Sequence, residues 1–206
     1  MNAATHDSPA AVRTEVRSEN LRKLAFASIF AALTYVVFTY LQIPVPTTGG
    51  KVSVHLGNAF VVLGALMLGN PWGAAGGAVG LTIADLIDPV YIVEAPVTFL
   101  VKFLMGALVA VLAHRFGHIT VQADHKKVVA WVVAAAVAGL AFNVLVDPAA
   151  RYVYKLLVLG KPAAEVTFAI NFSVTLINSV VSAVIAVALY LALIVPLKKA
   201  GLFFRI

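Results

Sequence analysis

Charged side chains stand inside two apolar stretches of this 206-residue sequence. Asp85 lies in the run "GAVGLTIADLID", and Lys102 lies in "APVTFLVKFLMG". A charge removed from water is costly unless it is paired or lies beside a water-filled cavity. The two residues therefore indicate either a purely structural ion pair or part of a polar pocket for a small molecule.

Amide and hydroxyl side chains form a second pattern. Asn171, Thr175 and Asn178 are spaced i, i+4 and i+7, which places them on one helical face, and Asn143 stands in a separate apolar run. Amides both donate and accept hydrogen bonds, so this set suits a neutral heteroaromatic ligand better than an ion. The alternative for each is an interhelical hydrogen bond.

Further polar residues flank these runs. His55, Asn58 and Tyr91 stand at the ends of apolar segments and are candidates to close over a ligand. The sequence has no His-Glu-x-x-His, no Gly-x-Ser-x-Gly and no phosphate-binding Gly-x4-Gly-Lys-Ser/Thr motif, and it has no cysteine. We therefore predict no catalytic residues, no metal and no cofactor; any ATP hydrolysis would belong to partner subunits.

The composition defines the environment of these residues. The chain is 62% hydrophobic and 12% charged, with a mean hydropathy of +0.98, which cannot cover a soluble domain with polar surface. We predict an all-α integral membrane protein, with a polar cytoplasmic leader over residues 1–20, no cleavable signal peptide, and a membrane domain over residues 21–206. The net charge is +6, and the basic residues lie mainly in loops and tails between apolar runs. This distribution fits membrane orientation rather than binding of nucleic acid.

Six apolar segments are predicted to form six transmembrane helices. Gly69 and Pro71 in "GNPW" separate the second from the third, each of which is short for a full span. Asp85 and Lys102 fall on neighbouring antiparallel helices, so they are predicted to be able to meet. The segments are approximately Leu24–Ile43, Ala59–Leu68, Gly73–Ile87, Ala95–His114, Val128–Val146 and Phe168–Leu197.

The distribution of basic residues predicts the orientation. With the N-terminus inside and six crossings, both termini are cytoplasmic and Lys102 alone lies within a span. Four basic residues then lie outside: Lys51, Arg151, Lys155 and Lys161. The others lie inside: Arg13, Arg17, Arg22, Lys23, Arg115, Lys126, Lys127, Lys198, Lys199 and Arg205.

Two outer connections are predicted to be more than simple loops. Pro44–Asn58 is rich in proline and glycine and then alternates apolar and polar residues, so we expect a lid over the outer mouth. Val146–Glu165 has an amphipathic character, and we expect it to lie along the membrane interface.

Small residues predict close helix contacts. Gly73, Gly76, Gly77 and Gly80 give two overlapping Gly-x-x-x-Gly patterns, which favour tight packing inside the bundle. Ala27 and Ala31 form a similar pair on the first segment, which fits either internal packing or docking of a partner helix.

The run "VSVHLGNAFVVLGALMLGNPWGAAGGAVGLTIADLID", followed by "APVTFLVKFLMGALVAVLAH", resembles the substrate-binding S components of energy-coupling factor (ECF) vitamin transporters. The likeness extends from about Leu24 to Val195 and is greatest to the branch for hydroxymethylpyrimidine, pyridoxine or riboflavin-type vitamins. Relatives often carry Lys-Gly-x-Glu-Gly in the fourth helix. Here Lys102 and Gly106 match, while Phe103 and Met105 replace the first glycine and the glutamate.

The resemblance implies a six-helix protein in the plasma membrane of a bacterium, with a vitamin pocket near the outer face under the first outer loop. It implies partners as well, namely a transmembrane coupling subunit, which Ala27 and Ala31 would contact, and two ATPase subunits. Membrane lipid surrounds the chain. Hydroxymethylpyrimidine or pyridoxine is favoured as ligand, with riboflavin next. Two other readings stay open: a self-sufficient carrier that relays protons through Asp85 and Lys102, and a ligand-free assembly protein.

Overall fold

The structure, a computed structural model, describes residues 9–47, 50–160 and 164–206, with side chains over 16–47, 51–160 and 168–206. Several predictions therefore fall partly outside the described residues. They concern the first eight residues of the leader, the side chain of Arg13, residues 48 and 49 of the lid, and the basic residue Lys161. The side chain of Glu165 also lies outside this part of the chain.

The described chain is mostly helical. Four of its helices contain segments long and apolar enough to cross a membrane, and two shorter apolar helices lie between the first and second of these. This arrangement is that of a multi-pass membrane protein. The helices are α1 (Pro9–Tyr40), α2 (Gly57–Leu68), α3 (Trp72–Ile87), α4 (Ala95–Ala110), α5 (His125–Leu157) and α6 (Ala164–Lys199).

Short non-α elements join these helices. Strands β1 (Gln42–Thr47) and β2 (Gly50–His55) pair antiparallel as a hairpin between α1 and α2. A 3₁₀ turn, Ile92–Glu94, precedes α4, and a π-helical turn, Val111–Phe116, ends it. We call the end of the bundle that carries the hairpin the hairpin end and the opposite end the terminal end.

The hairpin gives regular structure to most of the stretch predicted as a lid. Pro44 and Pro46 lie in β1, where they face Ser53 and Lys51 of β2. Proline cannot donate a backbone hydrogen bond, so it is accepted in a strand only where the N–H side is unpaired, as at a sheet edge. The two prolines therefore obscure β1 in the sequence. The alternation of apolar and polar residues over 52–56 indicates β2 more clearly.

Helix α5 corrects a predicted boundary. The fifth segment was expected to end at Val146 and to be followed by an interfacial connection, but α5 continues to Leu157 with Pro148 inside it. An internal proline removes one backbone hydrogen bond. Asp147 and Lys155, which are buried, and Arg151, which is partly buried, lie in this extension and form ion pairs.

The glycine face of α3 lets α1 and α2 approach closely. A Cβ at Gly80 would lie 2.2 Å from the carbonyl oxygen of Ala31, and one at Gly76 would lie 2.6 Å from that of Ala27. A Cβ at Gly73 would lie 2.0 Å from the carbonyl oxygen of Gly64 on α2. The tight internal packing predicted for these glycines is therefore observed.

The same contacts bear on the predicted docking pair. Ala27 is buried and Ala31 is half-buried, and the backbone of both lies against α3. Of the two uses left open for this pair, internal packing is the one seen within the chain. The side of α1 that carries Ser28, Ala32 and Leu33 is exposed, so it is the side that a partner helix can reach.

Replacing Gly80 with leucine is expected to lower the thermal unfolding temperature in detergent by roughly 5–10 °C, because the new side chain forces α1 away from α3. Val79→Leu is the matched control, since Val79 is 38% exposed beside it. Equal unfolding temperatures for the two variants would contradict the packing described.

Candidate functional site

A cavity at the hairpin end receives side chains from all six helices and from β2. Its volume is about 560 Å³, including the part that opens to solvent. Of the predicted ligand-binding residues, all but Asn143 line it. The lining comprises Phe38, Lys51, Val52, Ser53, His55, Asn58, Leu81, Asp85, Tyr91, Glu94, Thr98, Lys102, Asp147, Arg151, Lys155, Asn171, Thr175 and Asn178.

Arg151 is the centre of a buried network of charges. Its Nε donates to Asp147 Oδ2 at 3.0 Å, and its Nη1 donates to Glu94. Its Nη2 donates to Thr98 Oγ1 at 2.8 Å, and Lys155 Nζ lies 2.9 Å from the second oxygen of Glu94. One guanidinium thereby joins the 3₁₀ turn, α4 and α5, using the planar fork of donors that only arginine has.

Lys102 pairs with a residue that the sequence analysis did not select. Its Nζ lies 3.0 Å from Asp147 Oδ1 and donates to Asn143 Oδ1 at 2.7 Å. Asn143 thus lies behind Lys102 and orients it rather than lining the cavity. The predicted meeting of Asp85 and Lys102 is not observed, because α5 brings a nearer carboxylate to the lysine.

Asp85 is held by a hydroxyl instead. Thr98 Oγ1 donates to Asp85 Oδ2, and Thr98 in turn accepts from Arg151. Asp85 is only 2% exposed. Its link to the positive charge of Arg151 therefore runs through the threonine. We call Asp85, Glu94, Lys102, Asp147, Arg151 and Lys155 the charge cluster.

Three polar side chains on the cavity wall keep unused hydrogen-bonding capacity. Asn171 and Thr175 are 6% and 7% exposed and make no side-chain hydrogen bond with the described part of the chain. Asn58 is 1% exposed, and its Oδ1 has no partner there either. Buried polar groups are normally satisfied, so these three are the groups that a ligand or bound water would satisfy.

Asn178 lines the cavity, and its side-chain amide also binds the hairpin. Its Oδ1 accepts from the backbone N–H of His55 at 3.0 Å, and its Nδ2 donates to the carbonyl oxygen of Ser53 at 3.0 Å. The amide thus pairs with the free edge of β2 as a neighbouring strand would. Asn178 fastens the hairpin to α6.

Tyr91 fastens the hairpin to the connection between α3 and α4. Its hydroxyl lies 3.0 Å from Ser53 Oγ, and its ring is in contact with Phe38 at a centroid distance of 6.0 Å. Burial raises the pKa of Tyr91 to about 12, so the hydroxyl stays protonated. The two rings form an aromatic wall at the cavity, where a planar ligand could stack.

An ion pair is the third contact that holds the hairpin in place. Lys51 Nζ lies 2.7 Å from Asp88 Oδ2 and also lies over the ring of Tyr91. Partial burial acts to raise the pKa of Asp88, but the hydrogen bonds from Lys51 and from the backbone N–H of Val90 outweigh it and hold that pKa below the ordinary value of 3.8. The carboxylate therefore stabilises the observed position of the hairpin fully above pH 3.8, and this contribution is lost as the pH falls through the lowered pKa.

Replacing Lys51 with methionine is expected to speed hydrogen exchange in β2 about two- to fivefold at neutral pH, because the pair is partly exposed and its contribution is small. The wild-type protein should approach the same rate, corrected for intrinsic exchange, only below pH 3.8. Lys126→Met, at the terminal end, is the matched control. Unchanged exchange in Lys51→Met would show that the ion pair does not hold the hairpin.

Sequence reasoning missed Glu94, Thr98, Asp147, Arg151 and Lys155. The last three, together with Asn143, are spaced by four residues along α5, and this spacing indicates one polar helical face. That signal lies beyond Val146, where the fifth segment is predicted to end, and Pro148 gives no indication that the helix continues. Glu94 and Thr98 carry a weaker signal, four residues apart at the start of α4.

One comparison with known protein families finds a match over most of the chain. A family model described as "ECF-type riboflavin transporter, S component" matches residues 18–194. No match to the chain was found among curated proteins or among solved structures. Since the family match covers most of the chain, the protein belongs to the S components of ECF-type transporters.

Proposed function

We propose that this protein captures a small, neutral, water-soluble vitamin in the cavity at the hairpin end and delivers it across the membrane. It works with a transmembrane coupling subunit and two ATPase subunits, which hydrolyse ATP. The observation that carries the proposal is the contrast within the cavity. The charge cluster is engaged in hydrogen bonds and ion pairs within the protein, while Asn58 Oδ1 and the side chains of Asn171 and Thr175 have no hydrogen-bond partner in the described part of the chain.

The same contrast supports a neutral ligand. A charged ligand would have to break buried ion pairs or remain unpaired in a site shielded from water, and either is costly. Amide and hydroxyl groups satisfy the carbonyls, ring nitrogens and hydroxyls of a neutral vitamin. Phe38 and Tyr91 supply an apolar surface for its ring.

Among such vitamins we put riboflavin first, because the description of the matched family names it. Hydroxymethylpyrimidine and pyridoxine, which the sequence resemblance favoured, come next. All three present a heteroaromatic ring with hydrogen-bond acceptors and at least one hydroxyl. The binding panel below therefore contains all three.

We further propose the topology in which this function operates. The two short helices complete six crossings of a bacterial plasma membrane, both termini are cytoplasmic, and the hairpin is an outer lid. The basic residues at the terminal end support this orientation. The three fastenings of the hairpin, through Asn178, Tyr91 and Lys51, support a lid that closes over the cavity.

The first experiment is native mass spectrometry of the detergent-purified protein, expressed without partner subunits in rich medium. A co-purified vitamin in one-to-one ratio is the expected result, and calorimetry with riboflavin, hydroxymethylpyrimidine and pyridoxine then ranks the ligands. The proposal would be overturned if the purified protein were empty and bound no vitamin of the panel, either by itself or in the presence of the coupling module. Vitamin transport by the chain alone in proteoliposomes would replace the partner-dependent mechanism with that of a secondary carrier.

A further inference from the structure

His55 ends β2 beside the cavity and is fixed there on several sides. Its backbone N–H donates to Asn178, as described, and its ring packs edge-on against Phe38 with centroids 4.6 Å apart. Its Nδ1 lies 3.1 Å from the backbone nitrogen of Gly57 and accepts that N–H. A Cβ on Gly57 would lie 3.1 Å from Nδ1 and 2.9 Å from Leu81, so glycine permits this close approach.

These contacts define where the proton of the ring is. A neutral imidazole has one N–H and one acceptor nitrogen. Since Nδ1 accepts from Gly57, the proton lies on Nε2. Burial, and next the positive charge of Lys102, lower the pKa of His55 to about 3, so the ring is neutral at physiological pH. The other charges that act on it are those of Asp147 and Arg151.

The second ring nitrogen has no partner in the described part of the chain. His55 Nε2 makes no hydrogen bond there, yet it is not completely shielded from solvent. The ring lines the cavity. The Nε2–H is therefore not fully enclosed by the protein, and the cavity lies beside the ring.

From the contacts that hold the ring and from its place on the cavity wall, we infer that His55 offers its Nε2–H donor to the ligand and selects a ligand with a hydrogen-bond acceptor, a carbonyl oxygen or an unprotonated ring nitrogen, at that position. The inference deepens the proposed function and rests on it for the identity of the ligand. A ligand that carries an amino or ammonium donor at the same position leaves two donors facing each other and is rejected.

Two substitutions separate the roles of the two ring nitrogens. His55→Asn keeps an acceptor near the Nδ1 position for the Gly57 N–H but lacks the reach of Nε2. His55→Gln places an amide N–H near the Nε2 position. We expect His55→Asn to weaken binding of the vitamin found to bind by about tenfold or more, and His55→Gln to stay within about threefold of wild type. Equal affinity in His55→Asn and wild type would overturn the inference.

A second measurement does not depend on knowing the ligand. In protein labelled with ¹⁵N-histidine, the His55 signals, assigned by their loss in His55→Asn, should show a protonated Nε2 and an unprotonated Nδ1 from pH 5 to 8. A proton on Nδ1, or titration within that range, would overturn the inference even if no vitamin bound. If the expected tautomer is found but no vitamin in the panel binds, the donor stands and the proposed function fails.

Discussion

Replacing Arg151 with methionine is expected to lower the thermal unfolding temperature by about 10 °C or more and to abolish ligand binding. Breaking a buried ion pair costs about 3–5 kcal/mol, because the partner charge remains without compensation. Here two carboxylates, Glu94 and Asp147, lose a donor at once. Fluorescence-detected unfolding in detergent and calorimetry measure the two effects.

Three further variants test whether the effects of Arg151→Met come from the loss of its ion pairs. Arg115→Met removes an exposed arginine at the terminal end and should leave both quantities unchanged. Arg151→Lys should rescue little, because an ammonium does not reproduce the flat fork that reaches Asp147, Glu94 and Thr98 together. The double variant Arg151→Met with Glu94→Gln should be more stable than the sum of its single changes predicts. Strict additivity would contradict direct coupling between them.

Replacing Asn171 with leucine should weaken vitamin binding without lowering stability, unlike the replacement of Arg151. We expect vitamin affinity to fall by roughly 10- to 100-fold, since an acceptor or donor of the ligand is left unsatisfied. The stability of the ligand-free protein should stay the same or rise, because the Asn171 side chain makes no hydrogen bond with the described part of the chain. Thr175→Val should behave similarly, with a smaller loss of affinity.

Ser173 offers a control on the same helix. It is exposed, and its hydroxyl bonds only to the carbonyl oxygen of Ala169. Ser173→Ala should therefore leave affinity unchanged. A loss of stability in Asn171→Leu without any effect on binding would assign Asn171 to packing and count against a ligand at this wall.

These two results would separate the parts of the site that the sequence could and could not reveal. The face formed by Asn171 and Thr175 is visible from spacing alone, because both residues lie in one uninterrupted apolar run. The partner of Lys102 is not visible in this way, because Asp147 lies just beyond Val146, where the fifth segment was predicted to end. Spacing along one helix also cannot specify which of two carboxylates, on α3 or α5, comes nearer to the lysine.

The fold shows the same division. The six helices follow from hydropathy, and the close contacts of α3 follow from its glycines. The hairpin does not, because prolines in β1 oppose a strand and the pairing with Asn178 joins residues more than a hundred positions apart. Its position depends on a side chain of α6, which local pattern cannot show.

The balance of the charge cluster has a consequence for energetics in a polarised membrane. Three acids and three bases, when ionised, sum to zero, so the site exerts little net pull on ions. A single charge moved across the full membrane field exchanges about 2.3 kcal/mol per 100 mV. A balanced cluster carrying a neutral vitamin exchanges almost none, so movement of the loaded site through that field would be electrically silent. Its rate would then be independent of voltage, and the membrane potential would not set the direction of transport.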